Sequence, residues 1–127
     1  MIHHIDIAVR DLARSRAFYE KLLAPLGLAL VIRNCHPEGH EVLGFGALPD
    51  PVFWIRNGKP VAGNLHLAFL AATHTAVDSF HRAGLEAGGI CNGVPGLRPR
   101  YAENYYAAFM LDPDGNNIEA VCRTQRP

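Results

Sequence analysis

The stretch His4-Ile5-Asp6-Ile7-Ala8-Val9 carries an apolar residue at every second position near the start of the chain. Alternation with a period of two is typical of a strand that buries one face. Asp11 follows as a candidate helix N-cap, because its carboxylate can accept from the free amides of a first helical turn. Apolar residues at helical spacing continue to Leu23, and Pro25 with Gly27 ends the helix. This segment therefore predicts a strand followed by a helix.

The same series of residues returns 62 positions further along the chain. A shift of that length superposes His4 on His66, Ile5 on Leu67, Ile7 on Phe69, Asp11 on Thr73, Phe18 on Phe80, Leu23 on Leu85 and Gly27 on Gly89. A second strand is expected at residues 65–70, a second N-cap at Thr73 or Thr75, and a helix that ends at Gly88-Gly89. Helices are thus predicted near residues 11–24 and 74–87, as parts of an internal repeat.

Short strand candidates follow each helix. They cover residues 28–33, 41–46 and 51–56 in the first half, and 107–111 and 117–122 in the second half. The last two are joined by Asp112-Pro113-Asp114-Gly115, in which we interpret both aspartates as turn residues. Residues 92–106 are interpreted as a long loop. The prediction is an α+β fold with eight strands, a single domain of residues 1–127 built from two βαβββ modules, 1–62 and 63–127.

Composition narrows the classes of function. The 127 residues are 49% hydrophobic, and twelve Lys and Arg balance twelve Asp and Glu, so a nucleic-acid partner is not expected. The start lacks the pattern of a secretory signal, and no run of 18 apolar residues predicts a membrane span. Three cysteines without a CxxC pair are interpreted as reduced, mostly packing thiols. We expect a cytoplasmic protein.

Three segments carry a resemblance to a known superfamily. They are residues 4–12 with Ser15, Phe18 and Tyr19 behind them, the stretch Leu65-His66-Leu67-Ala68-Phe69, and the stretch Asp112-Pro113-Asp114-Gly115-Asn116-Asn117-Ile118-Glu119. In this order and spacing, the sequence resembles the vicinal oxygen chelate superfamily, which includes glyoxalase I, extradiol dioxygenases, and the bleomycin- and fosfomycin-resistance proteins. The resemblance covers nearly the whole chain.

The resemblance implies a metal cleft enclosed by curled sheets. His4, His66 and Glu119 match the superfamily's metal ligands, and Glu119 is also the residue expected to act in catalysis. Glyoxalase I has a fourth ligand, a Glu on the last strand of the first module. Residues 51–57 read Pro-Val-Phe-Trp-Ile-Arg-Asn and hold no carboxylate, so the sequence departs from the glyoxalase I pattern there.

Two imidazoles and one carboxylate suit a divalent cation and leave positions open for a substrate that chelates through two oxygens. Zinc, nickel, manganese and iron are all compatible with this set. The resemblance thus implies a metal-dependent enzyme acting on a small molecule, with a glyoxalase-like lyase or isomerase slightly favoured over a dioxygenase. Transferase chemistry of the fosfomycin-resistance type would use the same ligands. The alternative is a non-catalytic binding or resistance protein of the bleomycin-resistance type, a branch that lacks them.

The segment 92–106 is the candidate wall of the cleft. It holds two arginines and three of the four tyrosines, which predicts either a substrate-binding wall or a surface loop pinned by aromatic packing. Arg98 is the expected anchor for an anionic group, with Tyr101 and Tyr105 as further contacts. Trp54 is the candidate from the other module. We expect a small-molecule substrate as partner and allow for a homodimer. His74 and His81, on the second predicted helix, are expected to face solvent.

Overall fold

The computed structural model describes residues 1–127 and contains the same series of elements twice. Module 1 comprises β1 (Ile5–Val9), α1 (Leu12–Leu23), a 3-10 turn (Ala24–Leu26), β2 (Ala29–Cys35), β3 (Glu41–Ala47) and β4 (Asp50–Asn57). Module 2 comprises β5 (His66–Leu70), α2 (His74–Glu86), β6 (Ile90–Leu97), β7 (Tyr106–Leu111) and β8 (Asn117–Cys122). The predicted α+β fold of two βαβββ modules is confirmed.

Each module forms one mixed sheet of four strands. The strand orders are β1-β4-β3-β2 and β5-β8-β7-β6, with the first strand of each module parallel to the last. In module 1, Asp6 pairs with Trp54, and in module 2, Ala68 pairs with Glu119. Since Ala68 is 62 residues beyond Asp6, Trp54 occupies in module 1 the position that Glu119 occupies in module 2.

Both helices begin at the predicted caps. The Asp11 carboxylate accepts from the amide of Arg14, and the Thr73 hydroxyl accepts from the amide of Ala76. The helix bounds agree with the prediction to within one residue at each end. Of the two proposed caps for the second helix, Thr73 is therefore the correct one.

The two modules share one hydrophobic core on the helix side of their sheets. A cluster of 19 buried residues joins both helices to alternate residues of the central strands, among them Phe18, Leu43, Phe53, Phe80 and Met110. The intervening strand residues point to the opposite face of each sheet. We call the two helix-free faces open face 1, in module 1, and open face 2, in module 2.

The prediction of a loop over residues 92–106 is wrong in its first part. Residues up to Leu97 belong to strand β6, and only the following residues, as far as Tyr105, form a connection. Gly93, Pro95 and Gly96 made this stretch resemble a loop. β6 lies at the edge of its sheet and shows register shifts around Gly93, and an edge position with bulges tolerates proline and glycine.

The turn before β8 also links the two modules. Asp112 accepts from the amides of Asp114 and Asn116, which confirms its interpretation as a turn residue. It is 5% exposed, and its second oxygen accepts from the Tyr19 hydroxyl on α1 at 2.5 Å. Asp114 accepts from the amide of Arg10. The turn residues thus connect module 2 to α1 and to the loop before it.

The cysteines differ in exposure. Cys122 is buried in the core, but Cys35 and Cys91 are exposed, so the expectation that the thiols mostly serve packing is wrong for two of the three. All three are free thiols. No helix in the structure combines the length and the apolar composition that crossing a membrane requires.

Candidate metal and substrate site

A buried carboxylate lies at the centre of open face 2. The Glu119 side chain is 2% exposed, and its Oε1 is 2.8 Å from Nε2 of His66, whose side chain is 54% exposed. The Tyr105 hydroxyl donates to the other oxygen, Oε2. Burial, followed by the hydrogen bond and charge of Glu119, raises the pKa of Tyr105 to about 12. Tyr105 therefore remains a neutral hydrogen-bond donor at neutral pH.

The surroundings of Glu119 explain why both oxygens need partners. Phe109, Ala107 and Val121 form a small apolar cluster on open face 2, with Tyr105 packed against it. Burying an unpaired carboxylate among apolar groups is costly, and His66 and Tyr105 offset that cost. Displacing the His66 imidazole would leave Oε1 free to bind a cation.

The predicted wall residues lie on the same face. Arg98, Arg100 and Tyr101 line a cavity of about 250 Å³ together with Phe109 and Asn117. The Arg98 guanidinium lies 5.4 Å from the centre of the Phe109 ring and donates to the carbonyl oxygen of Val94 at 2.6 Å. Two arginines thus give this cavity a positive lining, as expected for residues that receive an anionic group.

One polar atom beside this cavity lacks a partner. Asn117 lines the cavity, and its Oδ1 is buried without a hydrogen bond. Asn117 also pairs in register with His66, the residue at the start of β5. The cavity and the Glu119 carboxylate are therefore neighbouring parts of open face 2. The sequence analysis assigned Asn117 no role and named it only within the third segment that carries the resemblance.

Open face 1 carries a different set of groups. His4, Asp6 and Trp54 line a cavity of about 320 Å³, and His4 Nδ1 lies 2.9 Å from His3 Nδ1. Asp6 accepts from Arg56 at 2.9 Å. Trp54, predicted as a substrate contact, belongs to this cavity and not to the one lined by Arg98 and Tyr101.

The three predicted metal ligands do not converge within one chain. No group of three or more His, Cys, Asp or Glu side chains is close enough together to hold a metal ion. His66 and Glu119 form a pair on open face 2, whereas His4 lines the cavity of open face 1. The expected convergence is therefore wrong for a single chain, because the repeat places His4 and His66 at equivalent points of two separate sheets.

The donor atoms of the pair nevertheless suit a divalent cation. An imidazole nitrogen and a carboxylate oxygen are donor types that zinc, nickel, manganese and iron accept, and here they lie 2.8 Å apart. The His66 side chain is about half exposed to solvent. The pair supplies two donors.

The comparisons with known proteins assign the chain to a family. The family model described as "Glyoxalase/Bleomycin resistance protein/Dioxygenase superfamily" matches residues 1–120. The chain therefore belongs to this superfamily, also known as the vicinal oxygen chelate superfamily, and the predicted resemblance is confirmed. A search of curated proteins found no match.

Solved structures agree with this assignment. A glyoxalase/bleomycin resistance protein from Albidiferax ferrireducens T118 is 31% identical, with a TM-score of 0.77 over 95% of this chain and 97% of that one. A family enzyme from Burkholderia phytofirmans PsJN has the same fold at 17% identity, with a TM-score of 0.71 over 97% and 98% of the chains. A glyoxalase I mutant from Zea mays matches 94% of this chain at 24% identity and a TM-score of 0.70, but only 46% of its own length is covered.

Proposed function

We propose that the protein is a metal-dependent enzyme acting on a small oxygenated molecule, with a lyase or isomerase of the glyoxalase type favoured over a dioxygenase. The observation that carries the proposal is the buried Glu119 carboxylate with His66 Nε2 at 2.8 Å, on an open face beside a cavity lined by two arginines. A divalent cation bound between the carboxylate and the imidazole would replace their direct contact, and both groups would then be its ligands.

His66 Nε2 and Glu119 Oε1 are the proposed donors from open face 2, and His4 is the proposed third ligand. A divalent ion bound there supplies Lewis-acid activation of adjacent substrate oxygens. Tyr105 positions Glu119 by donating to its second oxygen. Glu119 is the proposed catalytic residue, because its carboxylate can accept a proton from a substrate that is bound beside it.

His4 is proposed to come from a second copy of the chain. His4 and His66 are equivalent in the repeat, so a two-fold arrangement that sets open face 1 of one copy against open face 2 of the other joins three donors at each of two sites. The Zea mays chain supports this arrangement, since it is about twice as long as the present chain. The proposed enzyme is therefore a homodimer with two sites.

The cavity beside Glu119 suggests an acidic substrate. Arg98 is the proposed anion anchor, and Tyr101 lines the same cavity. Trp54 would close the site from open face 1 of the second copy.

Replacing Arg98 with alanine should weaken the binding of α-keto acids by about tenfold or more. The binding of neutral diols should be unaffected, since only the α-keto acids carry a carboxylate. A thermal-shift titration of the two ligand classes measures this, and equal loss for both would contradict the anchor role.

The alternative is a non-catalytic small-molecule binder. The observation that favours it is that a single chain groups no three metal donors, whereas residues of one chain form the arginine-lined cavity. A binder would retain its ligand in the presence of a chelator. A metal-dependent enzyme would lose both ligand binding and turnover.

Metal analysis of the purified protein tests the proposal. After loading with Zn²⁺, Ni²⁺, Mn²⁺ or Fe²⁺ and dialysis, we expect about one bound ion per chain for at least one metal. His66→Ala should abolish retention. His40→Ala is the matched control, because His40 is an exposed histidine whose nearest acidic group, Glu38, is 3.8 Å away. Retention that is equal in both variants would contradict the site.

A further inference from the structure

A second pair of reactive side chains lies on the helix side of module 2. Cys91 on β6 pairs in register with Met110, and Met110 belongs to the core. Cross-strand partners point to the same face of a sheet, so the Cys91 side chain faces α2. There its Sγ lies 3.1 Å from Nε2 of His81. This pair is thus separated by the sheet from the open face that carries Glu119.

We propose that Cys91 and His81 form a nucleophilic thiol–imidazole pair, a modification site for small carbon electrophiles. An imidazole within hydrogen-bond distance of a thiol can remove its proton as the sulfur attacks. Cys91 is an exposed residue at the edge strand β6, so a reagent in solution can approach it. The expectation that His81 simply faces solvent is wrong, since its ring is partly covered and contacts the thiol.

The surroundings of His81 favour its neutral form. Burial lowers the pKa of His81, and the negative charge of Asp78 on the same helix only partly opposes that effect. The Asp78 carboxylate also accepts from the Tyr106 hydroxyl at 2.7 Å. His81 is therefore neutral at pH 7, and its Nε2 can accept the thiol proton.

The reaction with iodoacetamide illustrates the balance of atoms. The Cys91 sulfur forms a bond to the methylene carbon, the carbon–iodine bond breaks, and iodide leaves with the bonding electrons. The thiol proton passes to His81 Nε2 and from there to solvent. No oxidant or reductant takes part.

The other cysteines are internal controls. Cys35 is also exposed, but its thiol donates to the carbonyl oxygen of His36 at 3.7 Å, a group that does not take up a proton at neutral pH. Cys122 is buried and should react only when the chain unfolds. One chain thus offers an assisted thiol, an unassisted thiol and a protected thiol.

Alkylation of the native protein tests the proposal. With iodoacetamide at pH 7 and peptide mass spectrometry, Cys91 should react at least about tenfold faster than Cys35, a modest share of what a positioned base contributes. His81→Gln and His81→Ala should lower the Cys91 rate to that of Cys35 and leave the Cys35 rate unchanged. Continued protection of Cys122 shows that the variants are folded. Equal rates for Cys91 and Cys35 in the unsubstituted protein, or a Cys91 rate unaffected in the folded variants, would overturn the proposal.

Discussion

The two modules have the same order and register of strands but carry different side chains on their open faces. In module 2, the position paired with Ala68 is Glu119, a carboxylate that is 2% exposed and held by an imidazole and a phenol. In module 1, the equivalent position is Trp54, and the acidic group is Asp6, whose side chain is 44% exposed and pairs with Arg56. The repeat thus preserves strand register, while the side chains at equivalent positions differ in chemistry.

The aromatic rings show how that divergence is accommodated. A Cβ on Gly44 would lie 3.0 Å from the Trp54 ring, so the indole covers this glycine. In module 2, the position equivalent to Gly44 is Phe109, whose ring covers Gly93 on the next strand. The aromatic residue is thus on β4 in module 1 and on β7 in module 2, so in module 2 the β8 position is occupied by Glu119. A glycine is required beneath each ring because any side chain there would collide with it.

The largest expected effect tests whether the two open faces meet in a dimer. His4→Ala and His66→Ala should each abolish metal retention when prepared alone. A dimer reassembled from an equal mixture contains one intact site in every mixed pair, because His4 of one copy meets His66 and Glu119 of the other. Metal content should return to about a quarter of the unsubstituted level. No recovery after verified subunit exchange would contradict the two-copy site.

The link between the modules should contribute the next largest effect. Tyr19→Phe removes one of the two donors to Oδ2 of the buried Asp112, the other being the side-chain amide of Asn116 at 3.1 Å. A hydrogen bond to a carboxylate contributes about 1.5–3 kcal/mol, and we expect a loss of this size in the free energy of unfolding. Tyr106→Phe is the control, since its partner Asp78 lies on a half-buried surface and a smaller loss is expected. Urea unfolding of the three proteins measures the difference. Equal losses would mean that the hydrogen bond between the modules contributes no more to the free energy of unfolding than the one within module 2.

Tyr19 also predicts the behaviour at alkaline pH. Burial, followed by the charge of Asp112, raises the pKa of Tyr19 well above its ordinary value of 10.0. A raised pKa means that the folded state holds the proton more tightly, so this contribution to stability is complete below about pH 10 and declines above it. The unfolding free energy of Tyr19→Phe should therefore fall less steeply above pH 10 than that of the unsubstituted protein. Parallel curves would contradict this assignment.

Trp54→Glu would make the two modules alike at this position. The substitution places a carboxylate at the module 1 position equivalent to Glu119, where it could act as a fourth ligand from the same copy as His4. Metal affinity should rise about tenfold, or 1.4 kcal/mol, measured by competition with a chromophoric chelator. Trp54→Gln is the matched control, because it removes the indole without adding charge. An equal response in both variants would show that this position does not reach the metal.

The smallest effect concerns the exposed ion pair of module 1. Arg56→Ala breaks the contact with Asp6, but both side chains are close to half exposed, and such pairs contribute about 0–1 kcal/mol. Chemical denaturation should show a change below about 1 kcal/mol, and added salt should reduce it further. A larger loss would indicate that open face 1 is less accessible to solvent than it is in the single chain.

The sequence predicted which residues belong to the candidate site but not how they are arranged relative to one another. His4, His66 and Glu119 followed from the resemblance, but the segments that carry the first two are equivalent in the repeat, and equivalence does not place them in one cleft. The contact of Tyr105 with Glu119 and the position of Asn117 at the cavity depend on residues from separate segments, which no local pattern encodes. The His81–Cys91 pair likewise required β6 to be a strand beside α2, and the glycines and proline of β6 concealed that strand.

By itself, the sequence determined the repeat, the two helices with their caps, and the strands whose alternation buries one face. These features depend on residues close together in the chain, where the period of apolar side chains, capping and turn residues act locally. The tertiary structure decided which faces remain open, that Glu119 is buried against His66 and Tyr105, and that His4 lies on the other sheet. Those outcomes depend on how two sheets pack around shared helices, a balance of burial and pairing between residues far apart in sequence.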